Sequence, residues 1–184
     1  MGKLEKWKIL DSEYAIRRPW LTARRDRVQL PDGRINDEYW VLEYPDWVNV
    51  IARCKDGRYV MVEQYRHGLR DVFTELVAGV IEKGETPLEA AKRELAEETG
   101  YTGGEWKEWM TLSGNPSTTN NLTHSFVADG VELTDTQHLD STEDVRVKIL
   151  TEAELIALIE SGTMRQSLML APLWKYYAAL KGCL

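Results

Sequence analysis

The sequence predicts a mixed α/β protein, with a β-sheet lying between helical layers and an N-terminal β extension ahead of it. Three features carry this reading. Strand-like segments fill the first half of the chain, one capped amphipathic helix follows at 86–99, and two more helical segments close the chain. Strands gathered around a central helix, then C-terminal helices, place helices on the faces of a mixed sheet.

The elements follow in order. Ala23 to Leu30 reads as a strand that ends at the turn Pro31-Asp32-Gly33, and Glu38 to Tyr44 reads as the next. Trp47 to Cys54 and Arg58 to Tyr65 flank Lys55-Asp56-Gly57, a short hairpin signal. Val72 to Ala78 is a further strand, after which the apolar period changes. Thr86 is placed as an N-cap, with Pro87 at N1 and Glu89 at N3 completing a capping box. Gly100 stands where a helix ends in a left-handed residue. Leu88, Ala91 and Leu95 make an i, i+3, i+7 stripe that faces the core. Strands are expected at Trp106 to Leu112, Thr123 to Ala128 and Val145 to Leu150, and helices at Glu152 to Glu160 and Ser167 to Leu180.

Composition bounds the partners. A chain of 184 residues suits one domain, or one domain with a small extension, and buries a core without disulfides. A net charge of -7 disfavours a nucleic-acid polymer, which needs clustered Lys and Arg. No apolar run reaches membrane-spanning length. The opening Met1-Gly2-Lys3-Leu4-Glu5-Lys6 has no apolar signal region and no hydroxyl at position 6 for a myristoylation pattern, so the expected location is cytoplasmic. Cys54 and Cys183 show neither metal-ligand spacing nor a disulfide framework. His67, His124 and His138 show no ligand spacing either and read as structural or surface residues.

The chemistry concentrates on the central helix. Glu94 and Glu98 are four residues apart and share a face, with Glu97 close beside Glu94. Like charges at this spacing cost a helix a few tenths of a kcal/mol, roughly, unless a cation turns repulsion into coordination. Carboxylate oxygens are what Mg²⁺ prefers, beside waters and substrate phosphates. Three glutamates alone fit a solvated acidic face equally well; the surrounding residues decide between the two.

Gly79, five residues, Glu85, seven residues, then Arg93-Glu94-Leu95-Ala96-Glu97-Glu98-Thr99-Gly100-Tyr101 resembles the Nudix signature with every charged and glycine position filled. Only Tyr101 departs, standing where the family has an aliphatic residue. The resemblance implies an α/β/α sandwich whose loop-helix-loop holds Mg²⁺ or Mn²⁺. It implies metal ligation by Glu94, Glu97 and Glu98 and by the Ala78 carbonyl, with Arg93 and Glu85 as a pair that orients the carboxylates. It further implies a pyrophosphatase acting on a nucleoside diphosphate derivative.

Outside the box, Glu63-Gln64-Tyr65-Arg66, Glu75-Leu76-Val77-Ala78-Gly79 and Pro116 are similar to the ADP-ribose pyrophosphatase branch. Val77 replaces a proline of that branch, and Ser117-Thr118-Thr119-Asn120-Asn121 departs from its Gly-containing loop. This branch implies that Arg66 contacts substrate phosphate; Glu82 is grouped with it as a substrate contact. Asp140 to Val147 resembles the branch's acidic loop and strand. Glu143 is the choice there as extra metal ligand or general base, with Asp140 and Asp144 as alternatives, because Ser141 cannot serve as a base. The basic, aromatic segment with Arg17, Arg18, Trp20 and Arg24 falls where the branch builds a homodimer and completes the partner's pocket, which makes Arg18 and Trp20 substrate contacts. The chain is thus read as an N-terminal β extension, 1–45, used for dimerisation, and a hydrolase domain, 46–184. The competing readings are a GDP-mannose or other nucleotide-sugar hydrolase, and a catalytically silent domain that senses a nucleotide sugar.

Overall fold

The computed structural model describes residues 3–183; Met1 and Gly2, on which the signal and myristoylation readings bear, lie outside the described residues, as does Leu184. The chain divides into two compact units: Met1–Pro45 with Ser113–Asn121, and Asp46–Leu112 with Leu122–Leu184.

The first unit is an antiparallel sheet of β1 (Lys8–Arg18), β2 (Leu21–Gln29) and β3 (Ile35–Glu43), in that order. Sequence reasoning did not anticipate β1. All eleven of its residues are exposed, and its register against β2 shifts between Ile9 and Asp11 and again between Tyr14 and Ile16. Such bulges break the two-residue alternation by which a strand is recognised. Asp26 of β2 is buried, receiving bonds from Ser12 Oγ at 2.7 Å and Arg24 Nε at 2.8 Å. Arg24 also bonds Glu43. The segment Ser113–Asn121 joins this unit through Leu42 N–H to the Thr118 carbonyl at 2.7 Å and Tyr39 Oη to the Ser117 carbonyl at 2.6 Å.

The second unit holds a seven-stranded mixed sheet. Its elements are β4 (Trp47–Cys54), β5 (Tyr59–Arg66), β6 (Asp71–Glu75), β7 (Val77–Val80), α1 (Pro87–Thr99), β8 (Tyr101–Leu112), β9 (Thr123–Leu133), β10 (Val145–Leu150), α2 (Glu152–Glu160) and α3 (Ser167–Leu180). The order is β10-β5-β4-β9-β8, with β6 on β5 and β7 on β4. Strands β4 and β9 run parallel. Alternate residues of β4 and β5 enter two cores. Val48, Val50, Ala52, Val60 and Val62 pack with Ala90, Ala91 and Leu95 of α1. Ile51, Tyr59 and Met61 pack with Leu155 and Ile159 of α2 and Met169 and Leu173 of α3. Helices thus cover both faces, as an α/β/α sandwich requires. Free Cys54 is buried in the α1 core.

One local feature positions the site. Strands β4 and β5 pair only at Ala52–Val60 and Arg53–Tyr59. Beyond that they part, β6 pairing with β5 and β7 with β4. The segment Val72 to Ala78, read as one strand, is therefore two strands that change partner at Leu76. Leu76 is fully buried, so the apolar run continues through the switch and conceals it.

Candidate active site

Helix α1 begins at a capping box: the Thr86 hydroxyl accepts from Glu89 N–H, and the Glu89 carboxylate accepts from Thr86 N–H. It ends at Gly100, left-handed at φ 74°, whose N–H donates to the Ala96 carbonyl. Gly84, at φ 98°, turns the loop before it. Between these fixed ends the acidic face of α1 lies against β7.

Arg93 organises that face. Its Nε and one terminal nitrogen grip both oxygens of Glu85, at 2.8 and 3.0 Å. The second of these nitrogens also donates to the Val80 carbonyl at 2.9 Å. The other terminal nitrogen reaches Glu94 and Glu97, each at 2.9 Å. The rigid guanidinium fork therefore ties the loop, the end of β7 and two helix carboxylates together. Its charge holds the Glu85 carboxyl below the ordinary range, through the paired hydrogen bonds first and the Glu82 amide second.

Glu94 and Glu98 meet the backbone of β7. A Cβ built on Gly79 would lie 1.9 Å from the Glu94 carboxyl carbon, so glycine is what lets that carboxylate abut the main chain. Glu98 is buried and accepts from the Ala78 amide at 3.3 Å. Ala78 stands opposite Asn49 in the β4–β7 ladder. Amide and carbonyl of one residue point the same way in such a ladder, so the Ala78 carbonyl also turns from β4 toward Glu98.

Burial pushes Glu98 up to about 8, helped by the Glu94 and Glu143 charges; the Ala78 amide and the Arg66 charge offset only part of this. Burial raises Glu94 as well, against the pull of Arg93. Buried Glu98, partly buried Glu94 and a backbone carbonyl beside them fit a hard divalent cation, which accepts one or two carboxylates and fills its shell with water and phosphate oxygens. Among the described residues no three His, Cys, Asp or Glu side chains close on one point. An ion held by this donor set would need backbone and substrate oxygens as well.

The remaining candidates are placed less centrally. Glu97 is spent on Arg93 and is half exposed. Glu143 is exposed in the 140–144 turn, where its carboxylate accepts from the Asp140 amide at 3.0 Å, yet its charge reaches both Glu94 and Glu98. The Glu82 side chain is exposed; its amide is bonded to Glu85. Arg66 at the end of β5 rests on buried Glu75, at 2.7 to 2.8 Å, with 40% of its side chain exposed. Arg18 and Trp20 belong to the first unit, Trp20 at the β1–β2 turn and 75% exposed. Arg24 is committed to Asp26 and Glu43, and Arg17 stacks on Tyr14 at 4.2 Å.

Three supporting groups escaped sequence reasoning: Glu75 beneath Arg66, the Val80 carbonyl beneath Arg93, and Gln137. The Gln137 amide donates to the carbonyls of Glu98 and Val145, at 2.7 and 3.1 Å, tying the acidic loop to the end of α1. In sequence Glu75 stands only as part of the Glu75-Leu76-Val77-Ala78-Gly79 motif. Gln137 and the Val80 carbonyl carry no signal in sequence.

Comparison with known proteins agrees with this geometry. Residues 44–171 match the family model described as the NUDIX domain, and residues 7–42 match the nucleoside diphosphate sugar hydrolase N-terminal domain. The chain is 35% identical over 169 residues to the methanol dehydrogenase activator of Bacillus methanolicus, covering 91% of this chain and 90% of that protein. It is 34% identical over 135 residues to the ADP-ribose pyrophosphatase of Bacillus subtilis (strain 168), covering 73% and 72%. A solved ADP compounds hydrolase shares the fold, with a TM-score of 0.86 at 22% identity over 100% of this chain and 98% of that one. With its signature, its sandwich and these relatives together, the chain belongs to the Nudix hydrolase family.

Proposed function

We propose that the protein cleaves the diphosphate bond of ADP-ribose or a related nucleoside diphosphate sugar, with Mg²⁺ or Mn²⁺, yielding a nucleoside monophosphate and a sugar phosphate. The observation that carries this is the pairing of Glu94 and Glu98 against Ala78 and Gly79, fixed by Arg93. The Bacillus subtilis relative and the match of residues 7–42 support the substrate class.

Glu94, Glu98 and the Ala78 carbonyl would hold the ion, with Glu97 and Glu143 as further carboxylates. Bound divalent cations neutralise phosphate oxygens and lower the pKa of a coordinated water. Arg93 and Glu85 act by position, keeping the Glu94 carboxylate against Gly79. Arg66, braced on Glu75, presents its remaining N–H groups to a substrate phosphate. A carboxylate of the 140–144 turn takes the proton of the attacking water, Glu143 first, with Asp140 and Asp144 as alternatives. Arg18 and Trp20 act on substrate from the N-terminal sheet of a homodimer, and Glu82 acts from the Gly79 loop. Among the described residues no helix is long and apolar enough to cross a membrane, and the cytoplasm is the location proposed.

The test is a phosphate-release screen with Mg²⁺ over ADP-ribose, GDP-mannose, UDP-glucose, NADH and dinucleoside polyphosphates. Turnover of a nucleotide sugar that stops in EDTA is expected. Metal-independent turnover contradicts the mechanism, and preference for GDP-mannose selects the nearest alternative. A second reading, a silent sensor of a nucleotide sugar that regulates a partner, draws on the relative named as a methanol dehydrogenase activator. Binding without turnover across the screen would favour it.

A further inference from the structure

The acidic turn 140–144 hangs between two supports, and one side chain joins them. The near support is the C-terminal end of α1. Carbonyls in the last turn of a helix have no partner within it, and the segment 134–138 takes them. Thr134 and Asp135 N–H donate to the Gly100 carbonyl at 3.0 and 3.1 Å, and His138 N–H donates to the Glu97 carbonyl at 2.8 Å. A Cβ built on Gly100 would lie 2.2 Å from the Asp135 carbonyl oxygen, so this segment is pressed against the helix end. The far support is β10, the end strand of its sheet, which starts at Val145 and pairs with β5.

Gln137 spans the gap. Its amide nitrogen carries two donors and serves two carbonyls, Glu98 at 2.7 Å and Val145 at 3.1 Å. The backbone bonds of 134–138 reach only the helix and do not depend on the side chain at 137. The link across to Val145 belongs to that side chain. It starts from Glu98, whose own carboxylate is held by the Ala78 amide. Gln137 therefore sets the spacing between a residue of the candidate site and the start of β10. Leu139 and Val145, on either side of the turn, pack in the core shared with α1. Apolar packing is non-directional, whereas the bonds from Gln137 fix one arrangement. Within the turn, Glu143 N–H donates to the Asp140 carbonyl and Asp140 N–H donates to the Glu143 carboxylate, both at 3.0 Å. A turn closed on itself in this way takes its position from its ends.

We propose that Gln137 is a positioning residue for hydrolysis: by holding α1 and β10 at one spacing, it sets where Glu143 stands relative to Glu94 and Glu98. The inference rests on the hydrolysis proposed above, in which Glu143 takes the proton of the attacking water. Gln137 itself touches no reacting atom. A general base must stand within about 2.6–3.2 Å of the group it deprotonates, so a loosened tether costs turnover and spares the binding of metal and substrate.

The test uses the full chain as Gln137→Met, Glu143→Gln and the double variant. Methionine keeps the length of glutamine but donates no hydrogen bond, and position 137 is exposed, so the fold is retained. With Mg²⁺ and the nucleotide sugar that wild type hydrolyses, Gln137→Met lowers kcat tenfold or more and leaves KM and Mn²⁺ affinity within twofold. In the Glu143→Gln background the same substitution changes the residual kcat less than twofold, because the base it positions is gone. A structural role alone would lower kcat equally in both backgrounds. The second readout needs no turnover. Hydrogen exchange of the metal-free protein, followed by mass spectrometry, becomes tenfold or more faster across 139–145 in Gln137→Met and stays unchanged across 87–93. Equal losses in the two backgrounds, an unchanged kcat or unchanged exchange at 139–145 overturns the inference and leaves the reaction standing. A wild type that hydrolyses no nucleotide sugar refutes the reaction, and the exchange alone then decides whether Gln137 holds the turn.

Discussion

At Gly79 an added methyl group would fall inside the Glu94 carboxylate. Backbone and side chain are so close that Gly79→Ala must displace the carboxylate, even though the glycine is not left-handed. Mn²⁺ affinity measured by electron paramagnetic resonance is expected to fall tenfold or more, with the circular dichroism spectrum retained; unchanged affinity would remove Glu94 from the metal. Glu98→Gln tests the other carboxylate. It keeps the shape but removes the carboxylate that a cation needs, so kcat should fall by orders of magnitude while Tm in EDTA stays level or rises. Full activity at saturating Mg²⁺ would remove Glu98 from the mechanism. Arg66 is braced by Glu75 at one edge of its fork and open at the other. Loss of a charge-assisted phosphate contact costs roughly 1.5–3 kcal/mol, so Arg66→Ala should lower kcat/KM by about ten- to a hundredfold and leave Mn²⁺ titration unaltered. A shift in the Mn²⁺ curve alone would make Arg66 a support of the metal site.

At the scale of elements, what the sequence revealed depended on how cleanly one period ran. Strands β4 and β10 and helices α2 and α3 fall at the bounds read from sequence, since each runs as one unbroken element. The capping box and Gly100 fixed both ends of α1. Bulges hid β1, and a buried leucine hid the switch from β6 to β7. The same division holds at the site. Glu94 and Glu98 could be grouped by helical spacing, and Glu85 and Arg93 by the resemblance to the Nudix signature. Asn49 and Leu168 meet across 119 positions, and no local pattern announces a contact that sheet register creates. Asp26 gives the first unit's sheet a measurable pH signature. Its bonds from Arg24, and then Ser12, hold its carboxyl below the ordinary range. Because the folded value lies below the unfolded one, the stabilisation is present above pH 4, approximately, and is lost as pH falls through the folded value. Asp26→Asn should therefore cost about 1–3 kcal/mol in urea unfolding at pH 7, and the gap to wild type should shrink under acid. A gap that stays constant with pH would show that the Asp26 charge is not what matters.

At the scale of the whole molecule, the first unit's sheet exposes Trp7, Ile9, Tyr14, Ile16, Trp20 and Trp40. Apolar surface of this kind marks an association site, and light scattering should give a dimer mass at micromolar concentration. A mass near the 21.2 kDa of one chain would refute the dimer. The first unit also has a consequence for synthesis. Its strands leave the ribosome first, but Tyr39, Leu42, Tyr44 and Pro45 bond to Ser117, Thr118, Asn120 and Asn121, which lie 76 to 78 positions later. At roughly 5–20 residues per second, the nascent sheet waits several seconds for this clasp, and much of the second unit emerges in the interval. A gene fragment ending at Pro45 would therefore encode a sheet without its clasp, and one beginning at Asp46 would carry the clasp with nothing to hold. Recombination that exchanges the N-terminal sheet between relatives has to move both pieces together.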